Sequence, residues 1–209
     1  MPHKALCLLF AAALFLSAGC AAPAGESEPA AAAQTNAAQA DSPVPAETET
    51  TALAKDAVEF AVSSTGVKDG VLDDRYGMRG SQLENGVPTL SPPLSFAGVP
   101  ADASCLALVM TDPDAGGWVH WLAANLPLGD LAENASIELS QSIVQGQNDF
   151  GTAGYGGPTP PSGTHAYAIT VYALRAPLEL ADGYSLADFQ AAIEGNILAE
   201  AALTATYAH

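Results

Sequence analysis

The chain has few basic residues: six Lys and Arg stand against 23 Asp and Glu in 209 residues, a formal charge of −17 at pH 7. That balance excludes nucleic acid as a partner, because affinity for it rests on Lys and Arg neutralising phosphates. It also repels anions at long range, so any anion site must use local donors: imidazolium, hydroxyl and backbone N–H. Otherwise the acidic excess reads as solubility. Cysteine is scarce too, at Cys7, Cys20 and Cys105 alone. Cys105 sits in a buried-strand pattern with nothing beside it to lower its pKa, which reads as core and not as a nucleophile. Because Cys7 and Cys20 fall in an N-terminal leader, no internal disulfide and no cysteine zinc site are expected. There is no serine or cysteine nucleophile motif, no HExxH and no glycine-rich phosphate loop. These absences argue against an enzyme, and no cofactor is expected.

Long hydrophobic runs are missing as well. The longest, residues 6–18, has the length of a secretory h-region and is too short for a permanent membrane span. It follows Lys4 and ends in Leu16-Ser17-Ala18-Gly19-Cys20. That ending resembles a bacterial lipobox, with Ser17 where leucine is commonest. Residues 1–20 therefore read as a lipoprotein-type signal peptide, with cleavage exposing Cys20 for lipidation. An ordinary secretory peptide cut near Ala18 or Ala22 is the alternative. Residues 21–54 are Ala, Pro, Glu, Gln, Thr and Ser with almost no large apolar side chain. Such a stretch cannot offset its chain entropy by burial and reads as a disordered linker. As a coil it spans roughly 30 Å root-mean-square. The expectation is an exported protein held at the cell membrane by its lipid anchor, with a domain over residues 55–209 on the extracytoplasmic side.

Within that domain, glycine, proline and short β-type runs suggest a mostly antiparallel sheet protein. Candidate strands cover residues 58–63, 104–110, 118–125 and 165–174. In the last, His165, Tyr167, Ile169, Val171 and Ala173 share one face. In the strand over 118–125, parity groups His120 with Trp118 and Leu122. Ser185 followed by Asp188 resembles a capping box opening a helix over 186–194. Residues 197–206, rich in alanine, read as a second helix.

Two segments carry the chemistry. In Asp112-Pro113-Asp114, directly after a hydrophobic strand, the proline pushes Asp112 towards extended geometry, so both carboxylates should emerge at a strand end. A plain turn is the alternative reading. Downstream, Gly156-Gly157-Pro158-Thr159-Pro160-Pro161-Ser162-Gly163 forms a rigid, donor-poor loop that feeds into His165 and Tyr167. Taken singly, His120 and His165 could each be hydrogen-bonded core histidines. Together with Asp112 they could also form a two-His-one-carboxylate metal site or an acid–base pair, although no metal is expected. A constrained loop beside a His/Tyr pair suggests instead the wall of a shaped pocket.

These residues resemble the phosphatidylethanolamine-binding protein family, in its bacterial Raf-kinase-inhibitor-like branch. The likeness extends to Ser91-Pro92-Pro93-Leu94-Ser95-Phe96-Ala97-Gly98-Val99-Pro100, to Gly146-Gln147-Asn148-Asp149-Phe150-Gly151 and to the segment from Ala191 to Ala201. The resemblance implies a mostly β fold of two packed antiparallel sheets with C-terminal helices. It also implies a small surface pocket for phosphate-like or carboxylate anions, including phospholipid headgroups. In this sequence Asp112 and His120 would line it, Asp114 would structure the Asp-Pro-Asp turn and Pro161 would form a wall. The Thr159 backbone N–H would donate, and His165 and Tyr167 would complete the ring. Imidazole and phenol donors with one N–H suit a small oxyanion. Three departures bear on affinity: Gly116 stands where the family has proline, which should loosen that turn; Ala166 replaces arginine; Asn196 replaces histidine. The implied function is a binding protein for a small anionic or zwitterionic ligand such as phosphate or phosphoethanolamine. The alternative is an inhibitor of a hydrolase or kinase acting on a protein target. Relatives in this branch often form dimers, so a homodimer is a further expectation of the resemblance.

Overall fold

Four long strands organise the protein, two buried nearly throughout and two with burial that alternates. The computed structural model describes residues 58–209; the expected signal peptide, Cys20 and linker lie outside them. In chain order the strands are β1 (Ala61–Ser63), β2 (Val67–Lys68), β3 (Val71–Leu72), β4 (Leu83–Glu84), β5 (Val87–Pro88), β6 (Ser95–Ala97) and β7 (Cys105–Asp112). There follow β8 (Trp118–Leu126), β9 (Val144–Gln145), β10 (Thr164–Leu174) and β11 (Ile197–Ala208), with helices α1 (Ala135–Glu138) and α2 (Leu186–Ile193). Seven strands form one sheet in the order β2-β3-β11-β10-β7-β8-β9. Its pairs are antiparallel except β3 with β11, which meet in parallel at Val71 and Thr206. The ribbon β1/β6 and the hairpin β4/β5 stand apart from it. Among the described residues no helix is long and apolar enough to cross a membrane.

Side chains two apart share a face, so each face of the sheet carries its own core. On one, Leu106, Leu108 and Met110 of β7 meet Tyr167, Ile169 and Val171 of β10 and Ala201, Ala205 and Tyr207 of β11. Phe60, Val62, Leu94 and Leu131 cover them. On the other, Cys105, Ala107, Leu122 and Leu174 pack under Leu178, Tyr184 and the α2 residues Phe189 and Ile193. The mostly β architecture is thus present, with the β1/β6 ribbon and loops as the layer opposite the main sheet. The α2 capping box forms as expected: the Asp188 N–H donates to Ser185 Oγ at 3.2 Å, and the Ser185 N–H donates to Asp188 Oδ2 at 2.9 Å.

Two expectations are corrected. Residues 197–206 do not form a second helix; they belong to β11, paired along its length with β10. Alanine favours helix intrinsically, but here Ala199, Ala201, Leu203, Ala205 and Tyr207 pack into the core at a spacing of two. Pairing and burial outweigh the propensity. The parity of β8 also breaks. Met110 pairs with Trp121 and Thr111 with Val119, which leaves His120 as a surplus residue, a β-bulge. Leu122 consequently lies on the α2 side of the sheet, while Trp121 joins the opposite core.

Candidate functional site

The end of β7 sets the first piece. Asp112 is 3% exposed and caps a short 3-10 turn over Pro113–Ala115, its Oδ1 accepting from the Ala115 N–H at 3.0 Å. The turn closes with two further bonds, from the Gly116 N–H to Pro113 O (3.2 Å) and from the Gly117 N–H to Asp112 O (2.9 Å). This is the 6→1 and 5→2 pattern of a Schellman closure, and it needs the left-handed backbone that Gly116 supplies at φ 71°. The turn expected to be loose is hydrogen-bonded throughout, because glycine meets the φ requirement. Asp112 Oδ2 accepts from His165 Nδ1 at 2.8 Å. Asp114 reaches across to β10, where its Oδ2 accepts from the Ala166 N–H at 2.8 Å.

The bulge in β8 sets the second. His120 is buried, and its Nδ1 lies 2.6 Å from the carbonyl of Gly156, while the Gly156 N–H donates to His120 O at 2.8 Å. A carbonyl only accepts, so Nδ1 carries the hydrogen and Nε2 is the uncommitted nitrogen. Burial holds the imidazole below its ordinary pKa, partly offset by the Gly156 carbonyl and by the Asp112 and Asp149 carboxylates. A loop from Gly146 to Gly157 frames this ring. Its hub is the buried Asn148, whose Oδ1 accepts from Phe150 N–H, Thr152 N–H and Thr152 Oγ1, and whose Nδ2 donates to Gly154 O. Asp149 ties the loop to β8, accepting from the Val119 N–H at 2.7 Å. Phe150 is thereby placed edge-on to both Trp118 (5.7 Å) and His120 (5.5 Å).

Between these pieces opens a cleft of about 380 Å³. Asp112, His120, Thr159, Pro161 and Tyr167 line it, together with Ala115, Trp118, Phe150 and Pro160. His165 and Asp114 are not in the lining; they stand behind it, one bonded to Asp112 and the other to the backbone of β10. Tyr167 is 1% exposed; its hydroxyl neighbours the Asp112 carboxylate, close enough to feel it as an acceptor, but completes no hydrogen bond of good geometry with it or with any other described group. Burial, and then the nearby carboxylate, push this phenol well above its usual pKa, so it stays a donor. The Thr159 N–H also meets no protein acceptor among the described residues. Among the described residues no Lys or Arg lines the cleft, and no three His, Cys, Asp or Glu converge as metal ligands. Ala115, Trp118, Phe150 and Pro160 line the cleft without being expected there from the sequence, and of these Trp118 and Phe150 are the large side chains. The one sequence signal for Phe150 is its place after Asn148-Asp149 in a glycine-bounded segment.

Comparison with known proteins decides the ancestry. A family model described as phosphatidylethanolamine-binding protein matches residues 62–208. The chain belongs to that family. A UPF0098 protein of Methanothermobacter thermautotrophicus is 47% identical over 144 residues, covering 66% of this chain and 91% of the relative. YxkA of Bacillus subtilis is 39% identical over 152 residues, covering 63% and 90%. Among solved structures, the phosphatidylethanolamine-binding protein homolog CT736 from Chlamydia trachomatis is similar at TM-score 0.63 and 34% identity, covering 72% of this chain and 98% of its own. Escherichia coli YbcL, described as a member of the mammalian family, gives the same TM-score and identity with 72% and 99% covered. Across the family's span, the cleft therefore sits on a shared scaffold.

Proposed function

We propose that the protein is an exported, membrane-tethered binding protein whose cleft holds a phosphate-like or phospholipid-headgroup anion without turning it over. The observation that carries this reading is the buried Tyr167 hydroxyl left without a partner at the floor of the cleft. A buried donor with nothing to bond costs about 1–3 kcal/mol, and a ligand oxygen there removes that cost. The Thr159 N–H supplies a second donor, and the neutral His120 Nε2 accepts from the hydroxyl of a singly protonated phosphate, so one such group can be met from several directions. The cleft exceeds what an inorganic anion fills and lies in the range of small-molecule sites. Its apolar rim, with Trp118 39% exposed, suits the cationic end of a zwitterionic headgroup through its ring face. The absence of Lys and Arg from the lining favours such a zwitterion over a multiply charged anion. The apolar run before Cys20 and the Ala/Pro-rich stretch after it support export and a lipid tether.

Isothermal titration of the purified protein with phosphoethanolamine, phosphate and acetate tests this. Saturable binding is expected, weakened about tenfold or more in His120→Ala and in Tyr167→Phe, since a hydrogen bond to a charged group contributes about 1.5–3 kcal/mol. Tyr167→Phe should leave the melting temperature unchanged or slightly raised, because the hydroxyl it removes has no partner. Binding that survives both substitutions intact would remove the cleft from the function.

A further inference from the structure

The cleft wall of Thr159, Pro160 and Pro161 has few backbone donors of its own, because prolines lack an N–H. It is held by its carbonyls instead. The Met78 N–H donates to Pro158 O at 2.9 Å. From the other side, His209 Nδ1 donates to Pro160 O at 2.9 Å and the His209 N–H to Gly163 O at 2.8 Å. These two anchors are joined to each other. Arg79, next to Met78, donates from Nη1 to Ala208 O at 2.5 Å, and its guanidinium lies 4.5 Å from the centre of the Tyr207 ring. Its backbone N–H donates to the Tyr207 hydroxyl at 3.0 Å, and its other Nη pairs with Asp74. The contacts form a closed circuit from Met78 and Arg79 through Ala208 and His209 to the loop and back to Met78.

We propose that Arg79 and His209 act as a clasp that fixes the position of the proline wall and hence the width of the cleft. This rests on the reading of the cleft as a ligand site but assigns a role to residues outside its lining. They are positioning residues: neither lines the cleft, and each acts through the loop carbonyls or through β11. Because Pro160 O can only accept, His209 Nδ1 is the donor in this contact.

The test uses the full chain as wild type, His209→Ala, His209→Asn and Arg79→Leu. The asparagine amide can place a donor where Nδ1 stood. Two readouts are taken: affinity for phosphoethanolamine by titration calorimetry, and hydrogen exchange at the Met78 amide, whose acceptor is the loop carbonyl of Pro158. His209→Ala should bind about five- to tenfold more weakly, the worth of one hydrogen bond, and should exchange faster at Met78. His209→Asn should restore both values, and Arg79→Leu should move both the way His209→Ala does. Unchanged Met78 exchange in His209→Ala overturns the clasp, whatever happens to binding. Faster exchange with unaltered affinity overturns its link to cleft width. A wild-type protein that binds none of the small anions defeats the proposed function separately, and the exchange data still judge the clasp.

Discussion

The His120 imidazole stands in a cost balance that pH can expose. Burial keeps its pKa in the folded protein below the unfolded value near 6.5, so the unfolded chain takes up a proton that the native state resists. Stability from this group is complete above pH 6.5 and is lost as pH falls below it. Urea titrations between pH 7 and 5 should therefore show a falling unfolding free energy. His120→Asn, which keeps a donor towards Gly156, should flatten that slope by up to about 1.4 kcal/mol per pH unit. Parallel slopes for the two proteins would contradict the burial argument. At this scale the charged and hydroxyl-bearing site residues were legible, since Asp, His and Tyr in strand-end settings announce chemistry by type. Trp118 and Phe150 were not, because an aromatic side chain reads equally as core. Only the hydrogen bonds of Asn148 and Asp149 aim Phe150 at His120.

Among the elements, loop 156–163 is tightly enclosed at one end and open at the other. A Cβ added at Gly157 would lie 2.1 Å from the Tyr76 carbonyl oxygen and 2.9 Å from Pro88 Cβ. One of these is backbone and the other a fixed ring, so neither can swing aside. Gly157→Ala should destabilise by about 3 kcal/mol and lower cleft occupancy with it. Gly163→Ala, with open space around its Cβ but φ at +69°, should cost only about 1 kcal/mol. Thermal melts of the pair would show the difference, and equal losses would mean that the loop yields more readily than its packing implies. The legibility of elements varied for a physical reason. β10 declares itself through β-branched and aromatic residues at alternate positions. β11 does not: its alanines suit either helix or strand, and only the partner strand decides between them. The phase slip in β8 leaves no mark in composition, since bulges are set by pairing and not by residue type.

Taken whole, the molecule is strongly acidic, and its net charge of −17 would work at a distance against the anion proposed for the cleft. Added salt should therefore strengthen binding of inorganic phosphate, because screening weakens the repulsion more than it weakens contacts inside the cleft. Titrations at about 10 mM and 150 mM ionic strength test this, with Debye lengths of about 30 and 8 Å. Phosphoethanolamine, which carries a compensating ammonium, should respond less. An affinity for phosphate that drops with salt would point to basic groups at the site after all. The surplus residue in β8 has a further meaning at this scale. Excising one residue there would remove the slip between Met110 and Thr111, while the second register shift between Leu106 and Leu108 would remain. The imidazole would then lose its berth against Gly156, and Trp121 would be thrown to the wrong side. The extra residue thus serves packing and cleft at once: it seats Trp121 in the core and His120 against Gly156, so a chain that shed it would lose both.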